Sequence, residues 1–463
     1  MDLKDKLAYQ RKEREVHKRG RSIEDAWSKI KRTGDLTTKE KLEKLINLSG
    51  AAKLKLKSAP AARLEGDVDR ESGPREPLQY FENAYGAQVR YGRITVGDGL
   101  RIDGETLYYL GRHEEFQGLG LDTALFLDLE TTGLAGGTGT IPFLVGLGYY
   151  RDGKFIVAQY FLGEPGEEER MLEELARLFE EGGFRSVVTY NGKVFDLPLL
   201  ETRFILKRKR FKLGELPHLD FLFSARHLWR HKHESCRLFH LAREVVAADR
   251  SEDIPGEEIP YRYFEYLRTG DFGQIEPILY HNQEDILSLL GLVIKGAHLF
   301  QGGRAPEDEC ACAELDAMDM VGVGRLFETV GDTERSVNLY ERAVSGGLTG
   351  IVETTVKRKL SLHFKKNADW EKALPLWKDL GTMDQLIGFR ELAMYFEHQA
   401  RNFAEALRTA EEGLLLARRT SDPMDEDFQK RIMRLQTKIA KLGETAAALT
   451  AGSRPKRPRA KKA

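Results

Sequence analysis

The stretch Ala124-Leu-Phe-Leu-Asp128-Leu-Glu130-Thr-Thr-Gly133 decides how this chain is read. A short apolar run enters two carboxylates separated by one residue, and Thr-Thr-Gly closes the segment. Apolar runs ended by Gly predict a strand, whose side chains alternate with a period of two. Asp128 and Glu130 therefore leave the same face of the strand, close together. Carboxylates so placed oppose each other's ionisation unless a positive charge sits between them. A hard divalent cation such as Mg²⁺ or Mn²⁺ prefers oxygen ligands and supplies that charge. A solvated strand end would carry the same pair, so the distinction rests on whether the rest of the chain provides further ligands.

The chain has 463 residues, room for two or three domains, and is 41% hydrophobic and 31% charged, an ordinary balance for a folded protein. Its longest apolar runs are strand-sized, so no membrane partner is expected. The N-terminus, MDLKDKLAYQRKEREVHKRG, is too charged for a signal peptide. Cys236, Cys310 and Cys312 are sparse and odd in number, which fits a reducing, cytoplasmic location rather than a disulfide framework. Cys310-Ala-Cys312 has no second Cys/His pair at zinc spacing beside it, so ordinary thiols are expected. No Gly-x4-Gly-Lys-Ser/Thr phosphate loop is present in the sequence.

Net charge is −1, but basic residues gather at the ends. Residues 1–58 hold 17 Lys/Arg against 9 Asp/Glu, and residues 453–463 add six basic residues and no acid. Such extensions suit a polyanion, because phosphate contacts supply the sequence-independent part of nucleic-acid binding. Solvated helix faces and a disordered tail would look the same.

Four regions are expected. Residues 1–76 read as basic polar helices and a linker. Residues 77–302 form an α/β domain, with β-rich pieces at Arg90–Gly97 and Thr106–Gly111, then the Asp128 strand. Ile141–Tyr150 and Lys154–Leu162 follow as a hairpin turning at Arg151-Asp-Gly153, then a helix near 167–181 and a β-branched strand at Ser186–Tyr190. Residues 315–445 are helical, with small residues Ser336, Ala373 and Ala406 spaced by 37 and 33. That brackets the tetratricopeptide period, so an all-α repeat region, open to a protein partner, is expected. Residues 446–463 read as a basic disordered tail.

Two later segments supply the missing acids. Val188-Thr-Tyr-Asn-Gly-Lys-Val-Phe-Asp196 delivers Asn191 into a turn and Asp196 to a helix start, where a carboxylate is favoured. Ile278-Leu-Tyr-His-Asn-Gln-Glu-Asp285 is an amphipathic helix with His281 and Asp285 four apart on one face. Each segment alone has an ordinary structural reading as a cap, a turn or a helical hydrogen bond. Together, in this order, they resemble the DEDD exonuclease superfamily, which has a ribonuclease-H-like fold and includes polymerase proofreading domains.

That resemblance implies that Asp128, Glu130, Asp196 and Asp285 hold two divalent cations, Mg²⁺ or Mn²⁺, roughly 4 Å apart. One would activate a water and the other would stabilise the leaving 3′ oxygen, with a general base beside the water. One branch of the superfamily places a Tyr four residues before the last acid; another places a His five before it. Here His281 is four before and Tyr280 five before, a departure from both. Four residues are nearly in line on a helix and five are about 140° away, so His281 is read as the base and Tyr280 as the alternative. An ordinary imidazole pKa near 6.5 suits that role. Thr131, Asn191 and Asn282, flanking these acids, are expected to contact substrate.

Longer segments carry a more specific likeness. DLETTGLAGGTGTIPFLVGLG at 128–148, RHLWRHKHESCRL at 226–238, DIPGEEIPYRYFEYLRTGD at 253–271 and HNQEDILSL at 281–289 look like the bacterial YprB-type family, over roughly residues 80–300. That family is described as ribonuclease-H-like and often carries helical repeats downstream. The resemblance implies that Asp220 lies near the site, against a plain role as a cap. Arg226, Arg230, His231 and Lys232 are expected to meet phosphates or to form a solvated helix face. The expected activity is metal-dependent 3′–5′ hydrolysis of single-stranded DNA or RNA. The alternatives are a catalytically weak nucleic-acid-binding scaffold and an internal-cutting endonuclease.

Overall fold

A computed structural model of the chain describes residues 76–133, 139–304 and 315–452; side chains of 443–452 are not described. The expectations for residues 1–75, Cys310, Cys312 and the last eleven residues lie outside the described residues. The strands are β1 Leu78–Gly86, β2 Arg90–Tyr91, β3 Ile94–Thr95, β4 Ala124–Thr131, β5 Pro142–Arg151, β6 Lys154–Leu162, β7 Ser186–Thr189 and β8 His218–Asp220. Six of them form one mixed sheet in the order β1-β6-β5-β4-β7-β8. β1, β6 and β5 pair antiparallel, while β7 pairs parallel with both β4 and β8.

The β5–β6 hairpin turns on Asp152 and Gly153, at φ 52° and 73°, a pair of left-handed residues matched to the twist of the strands. Thr106–Gly111, expected as a strand, is the helix α1, Gly104–Gly111. Asp103 caps it by accepting from the Thr106 amide, and Thr106, Leu107, Tyr109 and Leu110 are its buried face. That spacing is helical, which β-rich composition concealed.

The remaining helices of the α/β part are α2 Glu168–Glu181, α3 Asp196–Leu206, α4 Phe221–Trp229, α5 Leu238–Leu241, α6 Ile259–Thr269 and α7 Glu276–Arg304. α7 lies flat against the sheet because β5 has glycines two apart on the facing side. A Cβ on Gly146 would stand 2.1 Å from Asn282 Oδ1, and one on Gly148 would stand 2.6 Å from Ile286 Cγ2. By length and composition the helical stretch 272–304 would suffice to cross a membrane, contrary to the expectation that apolar runs are only strand-sized. Its most apolar 18-residue window is 72% buried inside the protein, so those residues are core.

The C-terminal helices are α8 Ala317–Thr329, α9 Thr333–Ser345, α10 Gly350–Lys366, α11 Trp370–Thr382, α12 Leu386–His398, α13 Phe403–Thr420 and α14 Asp425–Gly452. They pack as successive antiparallel pairs. Asp332, Asp369 and Asn402 cap α9, α11 and α13, and four residues on stand the buried Ser336, Ala373 and Ala406. α14 runs on through residues assigned to the tail. Val323, Leu326, Phe327 and Leu339 share one core with Phe221, Trp229 and Phe300, so the first pair is built into the α/β part.

Candidate active site

Parallel pairing brings three polar strand ends to one edge. Phe126 lies opposite Val188 and Thr189 opposite Asp220, so Asp128 and Glu130 on β4, the turn after β7 and Asp220 on β8 project together. In the turn, Asn191 adopts φ 68°. Asp220 holds it there, accepting from the amides of Asn191 at 2.7 Å, Lys193 at 3.1 Å and Leu222 at 3.2 Å. The turn then delivers Asp196 as the first residue of α3. Asp220 is thus the clamp of the turn and the cap of α4. Its charge also bears on Asp196.

Asn282, expected at substrate, points into the protein beneath Asp128. It is fully buried and donates through Nδ2 to Asp128 Oδ2 at 2.8 Å, while its Oδ1 accepts from Gln159 Nε2 at 2.9 Å. It sets the Asp128 carboxylate from beneath. Thr131 ends β4 and its hydroxyl donates to the Gly133 carbonyl at 3.0 Å.

α7 brings the last two expected residues together. His281 Nε2 lies 3.5 Å from Asp285 Oδ2 and 3.7 Å from Glu130 Oε1. Its Nδ1 meets Asp253 Oδ1 at 2.7 Å; a carboxylate only accepts, so Nδ1 carries the proton. Asp253 in turn accepts from Arg250 Nε at 2.8 Å, and Arg250 Nη1 lies 2.5 Å from Asp285 Oδ1. The side chains of Arg250 and Asp253 are 0% exposed. Neither was singled out as a site residue from sequence; a charged Arg-Ser-Glu-Asp between apolar segments was the available signal. Tyr280 has no hydrogen bond to any of the four acids, and burial lifts its hydroxyl to about 12.

The cluster is recessed, with the Glu130 and Asp285 side chains 13% and 17% exposed. Burial, then the charges of Asp285, Glu130 and Asp196, hold Asp128 well above the ordinary carboxylate range. Burial, resisted by His281 and reinforced by Asp285, lifts Glu130 to about 8. Burial, with Asp220 and Asp285 behind it, lifts Asp196 to about 7. Burial pulls His281 down, but its bond to Asp253 and the charges of Asp285 and Glu130 outweigh this and raise it to about 9. The ordinary value expected for His281 is therefore corrected: Asp253, Asp285 and Glu130 together favour its charged form and raise it above the usual imidazole range.

Among the described residues no three acidic, histidine or cysteine side chains converge on one coordinating point. Asn282 holds Asp128, and Arg250 holds Asp285. The donor chemistry fits a hard divalent cation: four recessed carboxylates, three of them held back from ionising by burial and by neighbouring carboxylate charge. Lys232, expected to meet phosphates or to line a solvated helix face, pairs with Asp316 at 2.6 Å and Asp319 at 2.7 Å and fastens α8.

Residues 125–295 match the family model described as the RNase H superfamily. The uncharacterized protein YprB of Bacillus subtilis strain 168 is 33% identical over 330 residues, which cover 70% of this chain and 77% of that protein. The family B DNA polymerase of the hyperthermophilic archaeon Pyrobaculum calidifontis aligns over 47% of this chain and 29% of its own length, at 17% identity and a TM-score of 0.33.

Proposed function

We propose that this chain, which belongs to the YprB family and carries a ribonuclease-H-like domain, is a metal-dependent 3′–5′ exonuclease of single-stranded nucleic acid. One observation carries the reading: four carboxylates from three distant segments meet in a recessed cluster beside His281. Carboxylates that repel one another would be costly to gather without a cationic ligand. Asp128, Glu130, Asp196 and Asp285 would hold Mg²⁺ or Mn²⁺, two ions on the DEDD reading. When bound, such ions activate water and stabilise the leaving oxygen of a phosphodiester. Asn282 orients Asp128, Arg250 restrains Asp285, and Asp253 turns His281 Nε2 toward the acids. With the acids neutralised, His281 loses the Asp285 and Glu130 share of what favours its charged form, while Asp253 keeps the proton on Nδ1 and leaves Nε2 to exchange a proton with water.

The test is a matrix of 3′-labelled and 5′-labelled DNA and RNA strands against metals, comparing wild type with Asp128→Ala. Stepwise shortening from the 3′ end that needs Mg²⁺ or Mn²⁺ and vanishes in the variant is the expected result. No metal-dependent cleavage of any substrate would sink the reading. Digestion of a circular single strand would make the enzyme an endonuclease.

The pair Arg250–Asp285 favours a second reading, a nucleic-acid-binding scaffold whose acids are already partly neutralised by the protein. Strand binding that ignores chelator and Asp285→Ala, without cleavage, would select it.

A further inference from the structure

Outside the acid cluster, the fold gathers arginines that have no counter-ion among the described residues. α4 carries Phe223, Arg226 and His227, and Arg230 caps its C-terminus, at three- and four-residue steps along one stripe. Arg112, at the end of α1, reaches this stripe with Nη1 3.4 Å from His227 Nε2 and its guanidinium 5.8 Å from the Phe223 ring centre. α8 presses on the same helix: a Cβ on Gly322 would stand 2.5 Å from the Leu228 carbonyl oxygen. Three residues on, Arg325 arrives near Arg230, and its Nη1 is buried with no hydrogen-bond partner. Burial and then the Arg230 charge hold Arg325 below the ordinary guanidinium range. Burial, with Arg112, Arg325 and Arg230, drives His227 down to about 4.

Among the described residues, Arg112, Arg226, Arg230 and Arg325 have no acid within ion-pair distance, although Arg203, Arg250 and Arg431 are all paired. The acid that bears on Arg325, Glu328, is occupied by Tyr340 and Lys359. Like charges held together at a half-buried seam oppose the fold unless an anion joins them. The stripe also leads toward the acid cluster. Arg226 and Arg230 both bear on Cys236, whose carbonyl accepts from the Tyr190 hydroxyl. Tyr190 directly precedes the Asn191 turn that delivers Asp196.

We infer that Arg112, Arg226, Arg230 and Arg325 form a phosphate track that holds the backbone of a single-stranded nucleic acid running to the carboxylate cluster. Guanidinium groups suit phosphate oxygens because their planar donors bond them in pairs, whatever the base sequence. The assignment rests on the exonuclease reading and names how the substrate of that site is held.

The test is fluorescence anisotropy with labelled oligo(dT) and oligo(U) of about twenty nucleotides, in chelator, from about 50 to about 200 mM salt. Wild type is compared with Arg112→Gln/Arg230→Gln and with Arg112→Lys/Arg230→Lys; both positions are exposed, and thermal melting checks the fold. The Gln variant should bind at least roughly tenfold more weakly, with a salt slope shallower by about 1.4, the loss of two single-strand phosphate contacts. The Lys variant should recover most of that affinity. Unchanged affinity and slope in the Gln variant would overturn the track. So would loss of poly-glutamate binding with oligonucleotide affinity intact, which would give the patch to an acidic protein. Wild type that cleaves, beside a Gln variant of unchanged affinity, defeats the track alone. Wild type that binds through the arginines and never cleaves defeats the exonuclease reading and leaves the track standing.

Discussion

Asp253 Oδ1 lies 2.7 Å from His281 Nδ1, so the imidazole is held in one orientation with Nε2 turned toward Glu130 and Asp285. The carboxylate that does this is itself fully buried and locked by Arg250. A histidine out of register with both superfamily patterns is in this way given a fixed orientation by a residue 28 positions earlier.

Asp253→Ala should therefore lower kcat by roughly 10- to 100-fold with little change in KM, as loss of an orienting partner does elsewhere. Asp253→Asn, which keeps an acceptor for Nδ1–H, should retain more activity than Ala. Steady-state kinetics on a labelled strand check this. Equal kcat in wild type and Asp253→Ala would remove the orienting role.

Arg250→Met leaves Asp253 and Asp285 without their buried partner. Breaking such a pair costs about 3–5 kcal/mol, so a large fall in Tm is expected. Mg²⁺ should restore part of it, because an added cation replaces the lost guanidinium charge. Thermal melts with and without Mg²⁺ measure both effects; a Tm insensitive to the substitution contradicts the network.

The cluster makes stability fall as pH rises. Glu130 and Asp196 have folded pKa values, about 8 and about 7, above their unfolded ones, so the native state binds more protons and is weakened as they leave. His281, raised to about 9, contributes stability that is complete below its unfolded value near 6.5 and lost as pH passes 9. Metal-free protein should melt at lower temperature at pH 9 than at pH 6, and Mg²⁺ should flatten the trend. Metal binding near pH 7 should release protons, which calorimetry in buffers of different ionisation heat detects. Binding that releases none would contradict the raised acids.

Gly146→Ala would set a methyl group 2.1 Å from Asn282 Oδ1. The helix must then lift from β5, at a cost of about 1–3 kcal/mol for overpacking, and Asn282 loses its grip on Asp128. Both Tm and activity should fall together. A variant with full activity would show that Asn282 does not set Asp128.

Local physics made much of this legible before any coordinates. The Asp128 strand, the Asp152-Gly153 turn and the helix over 278–290 are each set by short-range backbone geometry and formed as read, but that helix is buried on nearly every side, Gln283, Glu284 and Ser288 included, rather than amphipathic. Thr106–Gly111 misled because its aromatic residues suit strands, while the decision was made by Asp103 capping a helix and by helical burial. Spacing places Asn282 beside Asp285 but does not reveal that the helix turns it inward, to β4 and β6.

The sequence by itself determined the order of acids, the strand and helix that carry them, the sheet-plus-helices architecture and the small-residue repeat of the C-terminal helices. Tertiary structure alone decided who neutralises the acids. Arg250 and Asp253 sit on a connecting segment with no periodicity to reveal their direction, and their roles exist only because folding buries them against α7. Spacing along a chain reports which side chains share an element. Charge pairing between elements depends on distances and burial that only the packed fold creates.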